Sequence, residues 1–261
     1  MAKVWVLMKR ELYSLLVSPV SYVVLGVMAL LFGYQFVTSL LSFDQMLMVA
    51  ETQARLAQNP DVLNRVNLNE MVILGMTGYS FFLLFLAAPI LTMRFFSDEK
   101  AQSTYELLLT SPVSSWQIIL GKFAAAKVFL LLVLATHLIF LFVMFFYGNP
   151  EWRAVVSAYL GLYLAGLSFF AIGIFASSLT KSAIVAIFIA GGINLSIIMI
   201  GSLGPHVPQN LGRFIEAASF HSHFTEFNQG VIQVSSCVYF VSLIVLFLGA
   251  TQISIRSLSR A

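Results

Sequence analysis

The chain has 261 residues, 59% of them hydrophobic and only 10% charged, against the ~25% charged residues of an ordinary soluble domain. That composition cannot solvate a soluble surface, so the sequence reads as a membrane protein. A net charge of +3 is too small to point to nucleic acid, and the single Cys237 excludes an internal disulfide or a four-cysteine metal site.

Residues 3–17, KVWVLMKRELYSLLV, set Trp5, Met8, Leu12, Leu15 and Leu16 at helical spacing, with Lys3, Lys9 and Arg10 elsewhere on the helix. The pattern predicts an amphipathic helix lying along an anionic leaflet. A signal peptide is the rival, but the apolar run that follows is too long and lacks a small-x-small cleavage site.

Six apolar spans follow, at about 20–41, 71–93, 123–147, 154–178, 183–204 and 235–255, each near the ~20 residues that cross a bilayer as helix. Helix is required because an open strand leaves its backbone unsatisfied in lipid. The lysines and arginines set the orientation. Lys3, Lys9, Arg10, Arg94, Lys100, Lys122, Lys127, Lys181, Arg256 and Arg260 fall on one side, with Arg55, Arg65, Arg153 and Arg213 on the other. This bias places both termini and the second-to-third loop in the cytoplasm. With no internal repeat and no low-complexity linker, residues 1–261 read as one transmembrane domain.

Between the spans, Asp44 is a predicted N-cap for a helix running to Gln58 and broken at Asn59-Pro60. The loop from Arg94 to Lys122 is the one place where the chain is densely charged. It holds a short helical pattern that ends at Leu107 and Leu108 and is closed by Pro112. Ser114 and Gln117 read as a capping box for the next helix. Residues 148–153 form a tight turn. In 205–234, Leu211, Phe214, Ile215 and Ala218 recur at helical spacing, followed by Phe220, Phe224 and Phe227, which predicts a helical segment in the outer leaflet.

The chemistry of the spans is sparse. No Asp or Glu lies inside them, which argues against a proton- or sodium-coupled carrier. Gly121-Lys122-Phe123 lacks the glycine spacing and the hydroxyl residue of a P-loop. No catalytic motif is present. His221, His223 and Glu226, with His206 nearby, are the best metal candidates, yet a polar helix rim explains them, and no metal site is assigned. His137, near mid-span, is expected to make one hydrogen bond to a neighbouring helix. Small residues at helical spacing (Gly161 with Ala165, Gly173 with Ser177, Ala186 with Ala190) predict close helix packing. Gln35 and Asn194 are the isolated amides of the spans.

Taken together, these features resemble the permease subunit of ABC-2-type transporters. The closer motifs are Glu99, Thr104, Glu106, Leu107, Leu108 and Pro112 leading to Gly121-Lys122, then HFTEFNQGVI at 223–232 and YFVSLIVLFL at 239–248. Over essentially the whole chain the resemblance is closest to the gliding-motility-associated type. Ser103 departs from its usual glycine and Gln233 from a common aspartate.

The resemblance implies an all-α domain of six spans with an N-terminal interfacial helix (Trp5, Met8, Lys9, Arg10, Leu12). It also implies an outer-leaflet segment (Phe214, His223, Phe224, Phe227, Gly230) before the last span. It further implies a coupling helix whose contacts with the ATPase include Asp98, Glu99, Ser103, Thr104, Glu106, Leu107, Leu108 and Pro112, with Lys181 as a second contact. The implied partners are two cytoplasmic ATPases, a second permease copy or paralogue and, for the gliding type, an extracytoplasmic protein. ATP and Mg would bind the ATPase, with no cofactor in this chain, and the setting would be the bacterial inner membrane. The work done would be export of an amphipathic substrate or transmission of force. Two alternatives remain. One is a scaffold that docks a partner without transport, and the other is an intramembrane redox or metal protein built on the histidines.

Overall fold

The computed structural model describes residues 2–61, 69–102, 113–148 and 150–258. The described residues are helical with no strand among them, and six of the helical stretches are long and apolar enough to cross a membrane. In chain order these elements are α1 (Ala2–Val17), α2 (Pro19–Ala57), a π-turn (Asn69–Ile73), α3 (Leu74–Thr92) and α4 (Arg94–Ala101). Then come α5 (Ser115–Ala135), α6 (Leu138–Tyr147), α7 (Trp152–Leu179) and α8 (Ala183–Ile200). A 3₁₀ turn (Gly201–His206) leads to α9 (Gln209–Ala217), α10 (Phe220–Asn228) and α11 (Val234–Leu258).

Three boundaries differ from the sequence reading for identifiable reasons. First, α2 runs unbroken through Asp44 for 39 residues, about 58 Å at 1.5 Å per residue. Nothing between Leu41 and Asp44 breaks a helix, so Asp44 is an interior residue and not an N-cap. The helix stops at Gln58, in the left-handed region at φ 47°, just before Asn59-Pro60 as expected. Second, the Arg94–Lys122 stretch is not a water-facing loop from its first residue. Helix resumes after Met93 and runs to Ala101 as α4, with Phe95, Phe96, Ser97, Glu99 and Lys100 buried. Third, the third span breaks at Thr136–His137 into α5 and α6.

The capping box at the start of α5 is formed in both directions. Gln117 N donates to Ser114 Oγ at 3.3 Å, and Ser114 N donates to Gln117 Oε1 at 3.1 Å.

The core is built around α7, which packs against α3, α4, α5, α8, α10 and α11. Its small residues make this possible. Ala158, Ala165, Ala171 and Ala176 are fully buried, and a methyl group at Gly161 or Gly173 would collide with Phe227 or Thr92. In a bilayer, where helix association relies on close van der Waals contact, such faces set which helices meet. The isolated polar residues of the spans stay mostly local. His137 Nε2 lies 2.8 Å from Ser80 Oγ, the single cross-helix bond expected of it, and Gln35 bonds Ser39 one turn on. Asn194 is fully buried, and its amide makes no hydrogen bond to the described residues.

Candidate functional site: a buried charge latch

The site is assembled from three elements at one end of the bundle. Helix α1 does not lie free of the bundle. It packs along the start of α5, where Gly121 permits the approach: a Cβ there would stand 2.7 Å from the Leu7 Cβ. Leu7, Leu12, Leu15 and Leu16 turn toward the core, while Trp5 stays exposed with the Lys9 ammonium 5.2 Å from its ring centre. Met8 is half-buried and Arg10 reaches outward.

Directly after Gly121, α5 projects Lys122 into the seam. Its side chain is only 3% exposed. The Nζ donates to Glu11 Oε1 of α1 and to Glu99 Oε1 of α4, both at 2.9 Å, and to the Phe95 carbonyl at 2.5 Å. The ammonium also sits 4.9 Å from the Phe96 ring centre and 5.9 Å from that of Phe95. Arg10 Nη2 donates to the same Glu99 oxygen at 3.2 Å and lies 3.7 Å from Glu11. Two cations and two carboxylates therefore balance in a pocket where each acid side chain is 12% exposed. A buried pair held this way contributes little net stability over an apolar substitute, but losing one partner strands a charge. The arrangement fixes the register of α1, α4 and α5 against one another.

The next residue works on the other side of α4. Lys100 Nζ donates to the carbonyl of Ser178 in the last turn of α7, and Ser254 Oγ of α11 donates to the same carbonyl at 3.0 Å. An ammonium at a helix C-terminus satisfies an orphan carbonyl and faces the negative end of the helix dipole. Lys181, exposed in the turn between α7 and α8, is near enough to Lys100 for their charges to interact.

These positions sort the residues singled out from sequence. Asp98 is part-exposed and lies 3.9 Å from Arg94 Nε. Glu99, expected to reach toward an ATPase, turns inward to Lys122 and Arg10, because a carboxylate beside a buried ammonium is held there by that charge. Ser103, Thr104, Glu106, Leu107, Leu108 and Pro112, with the short helical pattern they belong to, lie outside the described residues. Sequence reasoning missed Glu11 and the buried position of Lys122. The available signal was that Glu11 is the one acid before Asp44 in an otherwise basic segment.

At the other end of the bundle, the segment before the last span is a helix pair, α9 and α10. Phe220, Phe224 and Phe227 of α10 are buried against α7, while Phe214 of α9 is 76% exposed. Asn228 Oδ1 accepts from Thr77 of α3, and its Nδ2 donates to the Leu74 carbonyl at 3.3 Å. Ser157 of α7 donates to the Phe227 carbonyl at 2.9 Å. Gly230 makes the turn out of α10 at φ +85°, a conformation that favours glycine, and a Cβ there would stand 3.3 Å from Ala154. Both His223 nitrogens are engaged, Nδ1 with Ser236 Oγ at 2.8 Å and Nε2 with the Ala217 carbonyl at 3.0 Å. Glu226 accepts from that same Ser236.

Comparison with known families decides what this bundle is. The sequence model of the family described as ABC-2 family transporter protein matches residues 5–261. The chain belongs to the ABC-2 transporter family. No curated protein matches it. As an ABC-2 family protein with six apolar helices it is a multi-pass integral membrane protein and a transmembrane permease. Membership implies association with the ATPase subunits of an ABC transporter.

Proposed function

We propose that this chain is the permease subunit through which a separate cytoplasmic ATPase drives export of an amphipathic substrate, with residues 98–112 as the mechanical link. The reading is carried by one observation: Glu99 and Lys100, just ahead of the 103–112 segment, are bonded to different helices of the bundle. A push on that segment reaches α1 and α5 through Glu99, and α7 and α11 through Lys100. Leu107 and Leu108 then seat the segment in a groove of the ATPase, each burial worth about 1.5–3 kcal/mol, with Glu106 and Asp98 as polar contacts and Lys181 flanking them.

In this reading two ATPases act on a dimer made by this chain and a second copy or paralogue. ATP and Mg are held by the ATPases, and both termini and the link face the cytoplasm of a bacterial inner membrane. ATP closure shifts the permease between two states only if the ATPases bind those states with different affinity. The aromatic interior, with its buried charges gathered at one end, suits an amphipathic cargo such as a lipid or a lipid-linked glycan. In a gliding-type complex the same motion would be delivered to an extracytoplasmic partner.

The test replaces Glu106 with Arg and Leu107 with Asp in the co-expressed complex. Loss of the ATPase from pull-downs, or ATP turnover no longer responsive to the permease, is the expected result. Retained binding with normal coupled turnover would remove the link from this segment and favour a scaffold.

A further inference from the structure

Beside the latch, α1, the first turn of α2 and the α3–α4 junction enclose a cavity of about 280 Å³. That volume, near the lower end of the ~300–1,000 Å³ typical of small-ligand sites, suits a headgroup rather than a whole lipid. Its wall changes character along α3 and α4, from Ile90 and Leu91 to Arg94 and Asp98. The guanidinium side chains of Arg10 and Arg94 both line it and are 59% and 56% exposed. Each has five N–H donors, far more than its bonds to Glu99 and Asp98 consume.

The start of α2 faces the same space through Ser18 and Ser21. Ser18 is the N-cap and makes no side-chain capping bond. Ser21 is only 3% exposed, and its hydroxyl has no hydrogen-bond partner among the described residues. A helix start of 39 residues' length adds partial positive charge there.

We propose that this cavity is a phospholipid headgroup site. A phosphodiester seats between Arg10 and Arg94 over the start of α2, accepting from Ser21 Oγ, and the acyl chains leave across Val20 and Leu91. The balance of charge favours a diester over a free phosphate or nucleotide. Arg10, Arg94 and Lys122 face Glu11, Asp98 and Glu99 in the lining, three against three, so a multiply charged anion meets no net positive field. A singly charged diester gains the same donors and adds apolar burial of its chains. Asp98 at the rim is an acceptor for a headgroup hydroxyl or ammonium. The assignment goes beyond the transport reading and does not depend on it.

The experiment follows thermal unfolding of the purified full-length chain in detergent while short-chain phosphatidylglycerol is added. Glycerol 3-phosphate and short-chain diacylglycerol serve as the headgroup-only and chain-only arms. The expected result is a saturable rise in Tm with the phospholipid alone. Arg94→Gln should weaken the apparent affinity about tenfold, the scale of one charge-assisted hydrogen bond. Ser21→Phe, which fills the cavity, should abolish the response. Arg55→Gln, at the opposite end of α2, should leave it intact. Arg94 is a surface residue whose loss does not threaten folding, so its result stands even if Ser21→Phe does not fold. An equal response in Arg94→Gln and the unaltered chain would overturn the proposal. So would a matching rise with diacylglycerol, and saturation by glycerol 3-phosphate alone would reassign the cavity to a free phosphate ligand.

Discussion

Glu99 and Lys100 are neighbours in sequence and divide the bundle between them. The Glu99 carboxylate meets Lys122 of α5 at 2.9 Å, and the Lys100 ammonium donates to the Ser178 carbonyl that ends α7. If both tethers carry motion from residues 103–112, loosening either one should uncouple without detaching. For Glu99→Gln and Lys100→Met we expect the ATPase to be retained in pull-downs while permease-dependent ATP turnover in proteoliposomes drops several-fold. Unchanged turnover in both variants would refute the role of the tethers while leaving the docking segment itself untouched.

The latch makes a separate prediction about stability. Lys122→Ala leaves Glu11 and Glu99 sharing only the half-exposed Arg10, and breaking a buried pair this way costs about 3–5 kcal/mol. Lys122→Met combined with Glu11→Gln and Glu99→Gln removes the three buried charges together, leaving only the half-exposed Arg10, and should lie within about 1.5 kcal/mol of the unaltered chain, since uncharged substitutes for buried ions are often neutral. Unfolding in denaturant, monitored by the helical circular dichroism signal, measures both. A Lys122→Ala loss below about 1 kcal/mol would mean that water reaches the seam.

The number and placement of the helices were legible because ~20-residue apolar runs have few alternatives in a bilayer. The Ser114–Gln117 capping box was equally legible, because it depends on residues three apart. The latch was not. Lys122 and Glu11 are 111 residues apart, and in sequence both read as the charged residues that flank spans and loops. Only the close approach of α1 to Gly121 turns them into a buried pair. Asp44 misled for the opposite reason: an aspartate before a helical pattern resembles a cap, but nothing upstream of it stops α2.

Gly121 should therefore be sensitive to a methyl group where Gly249 is not. A methyl group there meets Leu7, and crowding of this kind costs about 1–3 kcal/mol. Gly249 of α11 has open space around its Cβ position. Alanine there should be neutral or stabilising by up to about 1 kcal/mol, the helix propensity gained. We expect Gly121→Ala to lower Tm and to expose Lys3 and Lys9 of α1 to limited trypsin digestion, and Gly249→Ala to do neither. Equal behaviour of the two would mean that α1 does not depend on that contact.

At the other end, Thr77 and Asn228 hold α10 to α3, and their contribution can be isolated with a double-mutant cycle. The Thr77 hydroxyl has one proton and three acceptors in reach, Asn228 Oδ1, the Ile73 carbonyl at 2.7 Å and the Leu74 carbonyl at 3.4 Å. Thr77→Val leaves the buried Asn228 oxygen without its donor, which should cost about 1–3 kcal/mol. Asn228→Leu removes the bridge to Leu74 as well and should cost at least as much. The double variant leaves neither group stranded, so its loss should fall short of the sum by about 0.5–3 kcal/mol. Hydrogen exchange across residues 220–228 gives the structural readout, with faster exchange in each single variant. Strict additivity would show that the two side chains are neighbours without being partners, and that the buried phenylalanines alone secure α10.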